Sequence, residues 1–70
     1  IFMEDDAKKL GNNLKKIRTK KNITQIEVAN ILGVNRSFVS NIENGKNNPT
    51  LLTITNLAKA LGVTTKELLK

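Results

Sequence analysis

The 70-residue chain has no cysteine, histidine, tryptophan or tyrosine. Without cysteine, neither a disulfide nor a thiolate metal site can form. With no histidine and only six carboxylates, general acid–base and nucleophilic chemistry have few candidate groups. Asp5 and Asp6 form an adjacent acidic pair. They sit before the first expected helix, where negative charge favours a helix N-terminus, and that role is preferred to catalysis or metal binding. No apolar run approaches the roughly 20 residues of a membrane span, and no signal-peptide pattern appears. These absences argue against an enzyme and a membrane protein. They point to a cytoplasmic chain with no cofactor, no metal and no evident small-molecule ligand.

What the chain does have is positive charge. Twelve basic residues against six acidic ones give a net charge of +6, and the isoelectric point is near 10.0. Such a balance favours polyanionic partners. Lys8, Lys9, Lys15, Lys16, Arg18, Lys20 and Lys21 follow one another with no acid between them. They flank an apolar stripe of Ala7, Leu10, Leu14 and Ile17. That stripe is needed as a packing partner for the other helices, and it carries no aromatic anchor. A membrane-surface helix is therefore disfavoured, and attraction of phosphates from one end of the helix is the better reading. At this length the core is near the lower limit for independent stability, so dimerisation is a natural supplement.

The most informative segment runs from Thr24 to Gly45. Thr24 and Glu27 have capping-box spacing and start a helix at Gln25. Ile26, Ala29, Ile31 and Leu32 supply its apolar face, with Val28 at the margin. Gly33 fits a left-handed helix end, and Val34 follows as a buried plug. Asn35 caps a second helix that buries Phe38, Val39 and Ile42, and Gly45 ends it. Arg36, Ser40 and Asn44 are spaced by four, as are Ser37 and Asn41, so they form one polar surface. A solvated helix face is the simplest account of such a surface. Ordinary exposed helices, however, favour Glu and Lys, which are better helix formers than the Ser and Asn used here. Short polar groups suit close approach to base edges. Arg36 can reach guanine O6 and N7 with both arms, worth about 1–3 kcal/mol of discrimination, and Asn41 can pair similarly with adenine.

At these residues the chain resembles the XRE family, the helix-turn-helix proteins of the phage Cro and repressor type. The matching residues are Gln25, Ala29, Gly33, Val34, Val39, Ser40, Ile42, Glu43, Asn44 and Gly45. Arg18 upstream matches too, as do Asn48-Pro49-Thr50 and the run from Leu57 to Val63 downstream. The resemblance spans roughly residues 8 to 69. The run Asn35-Arg36-Ser37-Phe38-Val39-Ser40, with Asn48-Pro49-Thr50-Leu51, is similar to restriction–modification controller proteins. The resemblance implies that Arg36, Ser37, Ser40 and Asn41 face the bases. Gln25, Asn35, Asn44, Lys46, Asn47 and Asn48 would hold the DNA backbone. Arg18 and Glu43 would form a buried ion pair that fixes the reading helix.

The remaining organisation follows from caps and stripes. A first helix is expected over about Ala7–Lys21, closed by a left-handed Asn22. Within it Gly11 costs about 1 kcal/mol relative to alanine and allows close approach of a neighbour. Pro49 ends a loop beginning at Lys46. Thr50 caps a fourth helix with Leu51, Ile54, Leu57, Ala58 and Leu61 inward, ended by Gly62. Thr64 and Glu67 repeat the capping-box spacing for a short fifth helix, whose Leu68 closes the core. Leu52 and Leu69 fit the inner faces less well. They are either peripheral core or, as family members often use helices 4 and 5, a two-fold dimer interface. Thr65 and Glu67 are polar, so that interface would be small. Ile1 and Phe2 precede Met3, and are either an added remnant or a hydrophobic staple.

The expected fold is an all-α, five-helix, lambda-repressor-like DNA-binding domain over residues 1–70, with the helix-turn-helix at about 25–44. The expected function is a sequence-specific transcriptional regulator that binds near-palindromic double-stranded operator DNA as a homodimer. Alternatives are a phage-type repressor, an antitoxin, or a protein-interaction module. Antitoxins usually carry an added toxin-binding segment, for which this chain leaves little room.

Overall fold

The computed structural model describes residues 4–70, with side chains from Asp6 onward. Ile1 and Phe2, with both readings made of them, lie outside the described residues. Five helices follow in order: α1 Glu4–Lys20, α2 Gln25–Leu32, α3 Arg36–Glu43, α4 Leu51–Leu61 and α5 Thr65–Leu69. There is no strand among the described residues. α1 begins earlier than its apolar stripe indicates. Asp5 and Asp6 therefore lie inside its first turn rather than ahead of it.

Each boundary has a local cause. Thr24 Oγ1 accepts from the Glu27 amide at 3.1 Å, and Glu27 returns a carboxylate oxygen to the Thr24 amide at 2.8 Å. The same reciprocal pair joins Thr64 and Glu67 at the start of α5, and Thr50 Oγ1 accepts from the Thr53 amide at the start of α4. Two orphan donors are satisfied by each reciprocal box. Asn35 occupies the cap position of α3, yet its side chain makes no cap hydrogen bond. Asn22 takes φ +59° just after α1. The α2–α3 turn closes at Gly33 with φ +71°, a conformation that costs a side chain steric energy. α3 stops at Glu43, one residue short of the expected end, with Asn44 as its cap and Gly45 beyond.

The core joins Leu10 and Leu14 of α1, Val28 and Ala29 of α2, Val39 and Ile42 of α3, four residues of α4, and Leu68 of α5. α1 packs on α3 and α5, while α2 packs on α3 and α4. The α1–α3 contact is close because Gly11 is buried against the carbonyls of Ile42 and Glu43. Asn13 Nδ2 donates to the Leu68 carbonyl at 2.8 Å and ties α1 to the end of α5.

The apolar face expected for α2 is corrected. Val28 and Ala29 are buried, whereas Ile26 and Ile31 are 57% and 62% exposed. With 3.6 residues per turn, Gln25, Val28, Ala29 and Leu32 share one face, and the two isoleucines sit about 110° round from its centre. Val34 and Phe38 are half-buried against the core rather than fully enclosed. Leu51 lies on the correct side of α4 but is 72% exposed, because it projects past the end of the core. It borders an open cavity of about 580 Å³, together with Asp6, Asn48, Pro49, Thr50, Ile54 and Leu69.

Candidate nucleic-acid interface

α3 separates its two sides sharply. Val39, Ile42 and Glu43 are buried, while Arg36, Ser37 and Asn44 are exposed and Ser40 and Asn41 half-buried. The four residues expected to read bases thus share one accessible surface. Asn44 lies at its far end, with its Nδ2 3.5 Å from Ser40 Oγ. Beyond it the Lys46 amide donates to the Asn41 carbonyl at 2.9 Å, which holds the following loop against the helix end. Lys46 and Asn48 are exposed there and Asn47 is half-buried. Asn35, expected on the DNA backbone, is exposed at the opposite end.

Behind this face lies a charged anchor. Arg18 Nε donates to Glu43 Oε2 at 2.6 Å, and Arg18 Nη2 donates to Oε1 at 3.1 Å. The Glu43 side chain is 2% exposed and that of Arg18 11%. Arg18 Nη1 also donates to the Ile23 carbonyl at 2.9 Å, fixing the α1–α2 link. A buried charge needs such a full set of partners. Arg18 is therefore taken out of the basic run expected to attract phosphates, whereas the six lysines of that run remain exposed. Lys8, at the N-terminal end of α1, packs beside Gly45 and brings that end of the run to the α3 loop.

Gln25 lies between the anchor and the reading face. Its Nε2 donates to Glu43 Oε1 at 2.9 Å, and its Oε1 accepts from Arg36 Nη1 at 3.0 Å. The resemblance gives Gln25 a phosphate; in the structure Nε2 spends one of its two protons on Glu43 and Oε1 accepts from Arg36, so the second Nε2 proton is not used by either contact. No sequence signal marked that contact, because residues 11 apart meet only through the glycine turn.

Leu52 and Leu69 are 70% and 40% exposed. Leu69 lines the open cavity and Leu52 does not. Among the described residues there is no cluster of three or more groups able to hold a metal, and no helix is long and apolar enough to cross a membrane.

Two short helices joined by a left-handed glycine, with the second buried on one side and polar on the other, make this a helix-turn-helix protein. The comparisons agree with the geometry. The chain belongs to the helix-turn-helix family of transcriptional regulators, whose sequence profile matches residues 14–68. It is 41% identical over 64 residues to the HTH-type transcriptional regulator y4dJ of Sinorhizobium fredii, covering 91% of this chain and 83% of that protein. Among solved structures, the restriction-modification controller protein C.AhdI from Aeromonas hydrophila superposes with a TM-score of 0.86 at 38% identity, covering 91% of this chain and 97% of that one. The restriction-modification controller protein C.Esp1396I, solved as a tetramer in complex with its natural 35 base-pair operator, has a TM-score of 0.77 at 30% identity. It covers 91% of this chain and 95% of the other.

Proposed function

We propose that the chain binds operator DNA as a homodimer and regulates transcription as a restriction–modification controller protein, acting in the cytoplasm without catalysis. The observation that carries this reading is the outer face of α3. Arg36, Ser37, Ser40 and Asn41 stand together on an element whose other side is fixed by Val39, Ile42 and the Arg18–Glu43 pair. A rigid helix with short polar side chains suits entry into the major groove, and two copies would read half-sites about 34 Å apart. Lys46, Asn47, Asn48 and Asn44 would contact phosphates, as would Asn35. Gln25 would donate to a phosphate through the second proton of its Nε2, the first being spent on Glu43. The exposed Leu52 on α4 and Leu69 on α5 would supply apolar contacts to a second copy. With polar Thr65 and Glu67 beside Leu69 that interface would be small, so operator DNA would strengthen the dimer.

In vitro selection of bound duplexes, repeated with two variants, tests this. Arg36→Ala should relax one base position in each half-site. Lys46→Ala should weaken every sequence alike and lower the salt slope by about one. Equal loss of affinity by both variants on all sequences would refute the assignment of roles. A neighbouring restriction endonuclease gene would support the controller reading, and a phage immunity module would replace it with the repressor one.

A further inference from the structure

Four side chains run as one hydrogen-bonded chain from the interior to the tip of α3. Arg18 donates to Glu43, Gln25 donates to the same Glu43 carboxylate, and Arg36 donates to Gln25. An ionised carboxylate only accepts and a guanidinium only donates. The amide between them has one orientation that satisfies both neighbours, with its NH2 group toward Glu43 and its carbonyl oxygen toward Arg36. Because the Glu43 side chain is 2% exposed, it has little water to offer as a substitute partner for Gln25. Arg36 spends one of its five N–H groups on Gln25 and keeps the rest of its fork for a ligand.

We propose that Glu43 acts as a remote positioning residue for base recognition, orienting the Arg36 guanidinium through the amide of Gln25 without itself reaching DNA. The inference rests on the reading of Arg36 as a base-contacting residue. Its physical content is preorganisation. An exposed arginine free to sample many rotamers loses that freedom on binding, whereas one held at Nη1 has lost part of it beforehand. The held arm also fixes the plane of the fork, and two parallel bonds to guanine O6 and N7 depend on that plane. Glu43 therefore has two separable effects. One is the ion pair that holds the helix, and the other is the amide orientation that aims the arginine.

Substitution at Gln25 separates them, because Gln25→Met leaves the Arg18–Glu43 pair in place and keeps the side-chain length. Binding of the full chain is measured on the selected duplex and on duplexes changed at the base pair that Arg36→Ala relaxes. Gln25→Met should lower discrimination at that pair by about threefold to tenfold. In an Arg36→Ala background the same change should leave the remaining discrimination as it is. Loss of a phosphate contact alone would weaken all the duplexes equally, so unchanged discrimination with Gln25→Met overturns the coupling. Failure of Arg36→Ala to relax any position overturns the base-reading role beneath it, a distinct result. In the DNA-free protein, Glu43→Gln can satisfy Gln25 with either end of its amide, so NMR should show the Gln25 side-chain NH2 becoming more mobile. An equally rigid NH2 in a folded Glu43→Gln variant would overturn the orienting role, and should that variant not fold, the Gln25→Met result decides alone.

Discussion

Replacing Gly11 with alanine sets local and tertiary preference against each other. Within an isolated helix the change should stabilise by about 1 kcal/mol, because glycine has the greater freedom to lose. In the folded protein a Cβ at position 11 would lie 2.6 Å from the Glu43 carbonyl oxygen and closer still to that of Ile42. Restoring ordinary contact of 3.4 Å needs α1 and α3 to separate by about 0.8 Å or more. The obstructing atoms are backbone, so no side chain can rotate away. Overpacking of this kind costs about 1–3 kcal/mol, and the separation also stretches the Arg18–Glu43 pair. The net expectation is destabilisation of up to about 2 kcal/mol once the helix gain is deducted, a fall of as much as roughly 15 °C in Tm for a domain of this size. Urea unfolding at fixed protein concentration measures it, with an unchanged m value showing that the folded state is still compact. A variant more stable than the parent would refute the close approach of the two helices.

Breaking the anchor should be costly. Arg18→Met leaves the Glu43 carboxylate buried without its main partner, and denaturant unfolding should show a loss of about 3–5 kcal/mol. Adding Glu43→Leu to that variant should restore much of it, and no recovery would contradict the desolvation argument. Thr24→Ala removes the cap of α2 and should lower stability by about 1 kcal/mol, read by thermal unfolding. The hydrogen bonds from the Thr24 backbone and side chain hold the Glu27 carboxyl below its usual range. Its contribution is therefore present above the ordinary carboxylate pKa and lost as pH falls through the lowered value, so Glu27→Gln should flatten the acid limb of stability against pH. Leu69→Lys should leave the fold intact, because Leu69 is 40% exposed, yet weaken dimer formation in sedimentation and reduce operator affinity at low protein concentration.

How far the helix-turn-helix could be read without coordinates depended on the kind of signal. Thr24 with Glu27, Thr64 with Glu67, Gly33 and Gly62 act within a few residues, and each capped or closed a helix where its chemistry requires. Val39, Ile42, Ile54, Leu57, Leu61 and Leu68 lie on faces with clear helical period and are all buried. The weaker readings came from α2 and from the ends of elements. A helix of eight residues with four branched apolar side chains offers more than one apolar face, and its rotation was decided by α3 and α4 packing on Val28 and Ala29. Leu51 has the right period, but nothing in the sequence shows that the core stops before reaching it.

The outward side of α3 was carried by the chain itself: once α3 buries Val39 and Ile42, a period of 3.6 sends Arg36, Ser37 and Asn44 outward. What those residues are attached to was not. Arg18, Gln25, Arg36 and Glu43 are far apart along the chain, and their union depends on α1 approaching α3 across Gly11 and on the turn at Gly33. Caps, helical period and net charge are properties of neighbouring residues and are legible in order. The partner of a buried carboxylate, and the amide orientation that partner imposes, depend on distances that only the packed structure sets.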